Sequence, residues 1–96
     1  MKKDVLFTSW NCPECSEVKN VLDMNFAMDD EKLGKDSQHL VMIQAFSNVG
    51  ARVSIDQFTP DSKEDLYTPL VISHDGQIIK ELDEILNYLK DQGFTK

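Results

Sequence analysis

Residues 5–22 read "VLFTSWNCPECSEVKNVL", and the order of features in this stretch decides the fold. Val5-Leu6-Phe7 is an uninterrupted apolar, β-prone run, the pattern of a strand buried on both faces. Cys12 and Cys15, the only two cysteines of the chain, follow at once. Beyond them Val18, Val21, Leu22 and Phe26 recur at helical spacing, which places them on one face of a helix running to about residue 28. Pro13 suits the first helical position, where its missing N–H is no loss. Glu14 and Glu17 sit well near the positive end of the helix dipole. Cys12 is therefore expected at or just before the first turn of a helix that follows a buried strand.

Outward from that unit, residues 29–36, "DDEKLGKD", read as a charged connector. Ser37 can cap a second helix over residues 37–49, with Val41, Ala45, Phe46 and Val49 as its apolar stripe and Gly50 at its end. The run Leu40 to Phe46 also fits a buried strand, since a short apolar run is ambiguous by periodicity alone; the interruptions at Gln44 and Ser47-Asn48 favour helix. Arg52 to Phe58, "RVSIDQF", alternates through Val53 and Ile55 and predicts a short strand. Thr59-Pro60-Asp61 starts a turn, with one helical turn through Leu66. Leu70-Val71-Ile72 predicts a strand, His74-Asp75-Gly76 a hairpin turn and Gln77 to Leu82 the returning strand. Asp83 is expected to cap a last helix in which Leu82, Ile85, Leu86 and Leu89 share a face, with Lys90 in the final turn and Gly93 beyond it. The sum is a single α/β domain over residues 1–96. It has a mixed four-stranded sheet flanked by helices, with an extra helical segment after the first helix, and its reactive loop lies at the carboxyl end of the first strand.

Composition narrows the function. With 96 residues there is one small core; 41% hydrophobic and 28% charged residues fit a globular chain. A net charge of -7 offers no basic stripe for phosphates and disfavours nucleic acid and anionic membranes as partners. No apolar run approaches a membrane span, and Val5-Leu6-Phe7 is too brief for a signal-peptide core. The expectation is a cytoplasmic monomer, in a compartment where a close cysteine pair is more often catalytic or metal-binding than structural.

A Cys-x-x-Cys pair can be half of a zinc site, a redox couple or two small core residues. The only further soft ligands, His39 and His74, do not make a second paired knuckle, so no metal is expected. The redox reading alone accounts for strand, motif and helix in that order. Cys12 at the helix start lies near unpaired N–H groups and the dipole, which favour its thiolate. That thiolate would attack a substrate disulfide, and Cys15, one turn inward and shielded, would displace it from the mixed disulfide. Glu14 opposes the dipole and predicts a more reducing couple than a neutral residue would give. Thr68-Pro69 ahead of a buried strand is either a cis-proline segment or an ordinary strand-start proline. Trp10 is expected on the rim of the active-site surface, where substrates would stack. His39 and His74 read as solvent-facing, Asp29-Asp30-Glu31 as a solvated connector, and Met24, Met28 and Met42 as core filler.

Taken together, Cys12-Pro13-Glu14-Cys15 after a short strand, Thr68-Pro69 before Leu70-Val71-Ile72, the Asp-Gly hairpin and the terminal amphipathic helix resemble the glutaredoxin/thioredoxin superfamily. The Cys-Pro-x-Cys form is closer to glutaredoxins, and Trp10 is similar to thioredoxins. The resemblance implies a thioredoxin-like fold, Cys12 as nucleophile and Cys15 as resolving thiol. It also implies a cis Pro69, and a Thr68 backbone that pairs with a substrate peptide or glutathione. Candidate substrate contacts are then Trp10, Pro13, Glu14, Thr68, Pro69 and Asp83, the last towards the glutathione amino group; Lys2 or Lys3 could meet a glutathione carboxylate. The implied activity is disulfide reduction in electron transport and cell redox homeostasis, driven by glutathione or a flavoprotein reductase. No bound cofactor is implied. Glutathione is the co-substrate, and disulfide-containing proteins such as ribonucleotide reductase are the partners. The chain departs from the family in three ways. Glu14 replaces an aromatic residue, no glycine pair precedes Asp83, and the interval over residues 29–50 is long while the helix before Pro69 looks reduced. Compact members of this kind occur among phage-encoded glutaredoxins. A redox-sensing or adaptor protein on the same fold, or a metal clip, is the alternative function.

Overall fold

The computed structural model describes residues 2–10, 12–23, 31–35, 38–60 and 66–95. The first strand, β1 (Lys2–Ser9), is longer than its apolar centre, and Leu6 and Phe7 are fully buried on opposite faces. The chain turns at its carboxyl end into α1 (Pro13–Leu22), closed by Asp23 in the left-handed conformation. Cys15, Val18, Lys19 and Leu22 form the buried face of α1, whereas Val21 is exposed. The helix therefore ends at Leu22 and not near residue 28 as expected, because Asp23 closes it; residues 24–28, Ser37 and the helical turn placed before Leu66 lie outside the described residues.

The segment expected to be a second helix is a hairpin instead. Glu31–Leu33 forms β2 and Gln38–Ala45 forms β3, antiparallel to one another, and β3 pairs in parallel with the whole of β1. Residues alternate between buried and half-buried along β3, so Leu40, Met42 and Gln44 face one side of the sheet. Parallel pairing with a strand buried on both faces outweighs the weak helical stripe of this stretch. The expected strand "RVSIDQF" is correspondingly a helix, α2 (Asn48–Phe58), with Ser47 as its N-cap; its hydroxyl accepts the Gly50 N–H at 3.1 Å. Ala51 and Ile55, four residues apart, are its buried positions. The alternation through Val53 misled because Val53 is exposed. A full helix thus precedes Pro69, and the reduction expected there does not occur.

The hairpin of β4 (Leu70–Ile72) and β5 (Ile78–Ile79) is present, shorter than expected on its return arm. Gly76 supplies the positive φ its turn requires. The last helix, α3 (Leu82–Asp91), is capped by Glu81 without a side-chain bond, so Asp83 lies inside the first turn rather than at the cap. Strand order is β2-β3-β1-β4-β5. A mixed four-stranded core, β3-β1-β4-β5, carries the short β2 as an additional edge strand. On one face α1 and α3 cover Leu6, Leu40, Met42, Val71 and Ile79; on the other, Val5, Phe7 and Leu70 pack with Ile55 and Leu66. Among the described residues no helix is long and apolar enough to cross a membrane.

Candidate active site

The site forms where β1 ends. Cys12 is the N-cap of α1 in an extended backbone conformation, and its Sγ accepts the N–H of Cys15 at 3.1 Å. The sulfur therefore occupies the place a capping oxygen would take, facing the unpaired N–H groups of the first turn. Pro13 at the next position has no N–H to satisfy, and its ring, like the Glu14 side chain, is exposed. Cys12 and Cys15 are joined in a disulfide with their Cα atoms 5.2 Å apart. The two sulfurs differ in access: Cys12 is half-buried, while Cys15 is 0% exposed under the helix. An incoming reagent can reach Cys12 alone.

Fifty-six residues along the chain from Cys12, Thr68 reaches the same place. Its carbonyl oxygen lies 3.8 Å from Cys12 Sγ, its hydroxyl meets Ser9 Oγ at 2.7 Å, and the Thr68–Pro69 peptide bond is cis. Once the disulfide is reduced, the Cys12 thiol can donate to that carbonyl. Glu14, Tyr67, Thr68, Pro69, Lys80 and Glu81 line a groove of about 290 Å³ between the start of α1 and the cis-proline. A larger hollow of about 710 Å³ lies between α1 and α3, among Val21, Asp23, Leu86 and Lys90. Neither cysteine lines either hollow; the smaller one includes Glu14, between the two cysteines, and Thr68, whose carbonyl oxygen lies near Cys12 Sγ.

Trp10 is 48% exposed, and its ring stacks on that of Phe46 with centroids 6.4 Å apart and planes 9° from parallel. Asp83 is exposed on α3 and is not among the groove residues. Lys3 is exposed near the start of β1, six residues and roughly 20 Å from the carboxyl end where the disulfide sits. Tyr67, Lys80 and Glu81 were not singled out from the sequence. Tyr67 and the 80–81 pair flank Thr68-Pro69 and β5, and only the fold shows that these two ends line one groove with Glu14.

Two buried polar clusters lie on the sheet face under α1 and α3. At the sulfur end, Gln44 Oε1 accepts from Lys19 Nζ at 2.8 Å and from Thr8 Oγ1 at 3.3 Å. Burial pushes the Lys19 amine below its ordinary value. At the opposite end, Asp4 accepts from the Gln38 amide, from the His74 N–H at 2.7 Å and from Tyr88 OH at 2.9 Å; His74 Nδ1 lies 3.0 Å away. Burial and the Asp4 carboxylate together hold the Tyr88 phenol well above its usual range. His74 is therefore tied to a buried carboxylate rather than facing solvent alone, and His39 lies half-buried on β3. Among the described residues no group of three His, Cys, Asp or Glu side chains is arranged to hold a metal ion.

Comparison of the chain with models of known protein families, with curated proteins and with solved structures gives no match.

Proposed function

We propose that this chain is a glutaredoxin-like thiol–disulfide oxidoreductase with a thioredoxin-like fold. The observation that carries the reading is the asymmetric pair: an accessible Cys12 Sγ at a helix N-cap, disulfide-bonded to a Cys15 that solvent does not reach. A mixed sheet with helices on both faces, and Thr68 beside the nucleophilic sulfur, support it further.

In the reduced protein the Cys12 thiolate attacks one sulfur of a substrate disulfide, and the other substrate sulfur departs as a thiolate. Cys15 then attacks Cys12 Sγ, the substrate's remaining sulfur leaves with the bonding electron pair, and the Cys12–Cys15 disulfide forms. The Cys15 N–H and the helix start favour the attacking and departing charge on Cys12. The Thr68 backbone offers an edge against which an extended substrate segment can lie. Protein disulfides are the proposed substrates, and glutathione or a flavoprotein reductase returns the pair to the dithiol. Glutathione carries two carboxylates and an ammonium group, and the groove presents Lys80 and Glu81 together.

The test is reduction of a protein disulfide and of a glutathione mixed disulfide by the purified chain. Turnover that Cys12→Ser abolishes supports the proposal. Turnover that survives this substitution refutes it.

A further inference from the structure

Backbone pairing between β1 and β4 stops short of the site. Its last rung joins Phe7 to Leu70, although β1 runs on to Ser9 beside β3. The residue before Leu70 is Pro69, which has no N–H to give to a ladder. Continued past that gap, the antiparallel register sets Ser9 opposite Thr68. There the side chains take over from the backbone: Ser9 Oγ and Thr68 Oγ1 lie 2.7 Å apart and share a hydrogen bond. Opposed residues of an antiparallel pair have Cβ atoms about 4.5–5.5 Å apart, a span that two short hydroxyl side chains close.

Ser9, Thr68 and Cys12 thereby form a closed circuit. Ser9 is 2% exposed at the end of the buried strand, and Cys12 follows three residues later. Cys12 Sγ in turn faces the Thr68 carbonyl oxygen at 3.8 Å. Thr68 thus turns its hydroxyl to Ser9 and its carbonyl to the nucleophilic sulfur, while it lines the groove with Tyr67 and Pro69. A buried hydroxyl carries a desolvation cost that alanine at position 9 would avoid, and the bond to Thr68 offsets it.

We propose that Ser9 is a positioning residue for the substrate. Its hydroxyl holds Thr68, so that the Thr68 backbone, against which an extended peptide segment lies, keeps a fixed place relative to Cys12 Sγ. The proposal rests on the oxidoreductase reading and adds to it a preference for disulfides carried on peptide chains. An edge ordered before binding spares the entropy of ordering it on binding, and so lowers the peptide concentration needed. A disulfide without peptide groups has nothing to lay against that edge and gains nothing from the tether.

The test is oxidation of the reduced chain by excess disulfide, with no other reductant, using two compounds that share a 2-mercaptoethanol half. One is 2-hydroxyethyl disulfide; the other is a linear peptide whose one cysteine is disulfide-bonded to 2-mercaptoethanol. Each reaction closes the Cys12–Cys15 disulfide and releases the added disulfide as two thiols, so its electrons balance without a further reagent. Ser9→Ala is expected to raise the half-saturating peptide concentration about three- to tenfold, the worth of one neutral hydrogen bond, while the limiting rate stays within about twofold of the parent's. The rate with 2-hydroxyethyl disulfide should also stay within about twofold. Thr68→Val removes the other hydroxyl at nearly constant shape, and adding Ser9→Ala to it should cause no further loss with the peptide. Urea unfolding verifies that each variant compared is folded. An unchanged half-saturation, an equal loss with both compounds, or additive losses in the double variant overturns the role of Ser9 and leaves the oxidoreductase reading standing. A parent chain that neither compound oxidises overturns that reading, and the role of Ser9 with it.

Discussion

Replacing Asp4 by alanine separates the framework from the chemistry, and its cost can be worked from the hydrogen bonds. Asp4 is 0% exposed and accepts from the Gln38 amide, the His74 N–H and the Tyr88 hydroxyl. In Asp4→Ala the His74 groups regain water, because that side chain is part-exposed. The Gln38 amide keeps His74 Nδ1 at 3.3 Å as a second partner, whereas the Tyr88 hydroxyl, part-buried in the same cluster, loses Asp4 as its acceptor. A buried donor left without a partner costs about 1–3 kcal/mol, and that is the expected loss. Against a total stability of about 5–15 kcal/mol for a domain of this size, the variant should unfold at a much lower denaturant concentration. Urea unfolding of the oxidised protein measures this directly. Coupling to Tyr88→Phe in a double-mutant cycle should reach about 0.5–3 kcal/mol, as expected for groups in one network. Asp4 lies five residues before Ser9 on β1, roughly 17 Å from the sulfur end, so the folded fraction should exchange disulfides at the parent rate. A loss below about 0.5 kcal/mol, the usual range of surface substitutions, would refute the claim that these donors depend on Asp4.

Three further outcomes follow from the same structure. A Cβ on Gly34 would stand 2.6 Å from Phe94 Cε1 and 2.7 Å from the Gln92 carbonyl oxygen; Gly34→Ala should therefore cost about 1–3 kcal/mol, and an unchanged thermal midpoint would contradict the close approach of the β2–β3 turn to the end of α3. Removing the exposed charge of Glu14 should make the Cys12–Cys15 couple less reducing by on the order of 10 mV, from about 0.5 kcal/mol of screened repulsion on the Cys12 thiolate; equilibration with glutathione buffers reads it, and a shift to more negative potential would reverse the assigned sign. For Tyr88 the folded phenol holds its proton more tightly than the unfolded one, so its contribution is complete below about pH 10 and is lost as pH rises beyond that. Burial of Lys19 acts in the opposite sense over the same range, so the comparison must be with Tyr88→Phe, whose alkaline loss of stability should be shallower than the parent's; equal slopes would sink the assignment.

What could be read from the sequence was whatever depended on neighbours along the chain. Val5-Leu6-Phe7, the helix opened by Pro13, the Asp75-Gly76 turn and the helix through Ile85 and Leu89 each carry their own local signal. Leu40 to Phe46 does not: a run of apolar residues fits strand or helix until a partner is known, and the partner is β1, with eight residues in register. Arg52 to Phe58 failed for the complementary reason, since Ala51 and Ile55 define the buried stripe and the cap at Ser47 lies outside the stretch that alternates. Cys12 and Cys15 announced themselves by spacing, but Tyr67, Lys80 and Glu81 join the site only through tertiary approach. Asp4 and His74 are 70 residues apart, and nothing local marks either as half of a pair. Lys19 carried a helical-period signal at four residues from Cys15, yet a lysine in that position reads as solvent-facing until its burial is seen.

The central claim, that an accessible Cys12 attacks disulfides and a shielded Cys15 resolves them, is tested most directly by trapping the intermediate. Reduced Cys15→Ser protein is mixed with an activated glutathione disulfide, and the product is mapped by mass spectrometry. The account predicts one stable glutathione adduct on Cys12, released by added thiol, while the unaltered protein under the same conditions passes to the Cys12–Cys15 disulfide and frees the glutathione. A Cys12 that stays unmodified in the variant, or an unaltered protein that retains the adduct without closing its own disulfide, would contradict it.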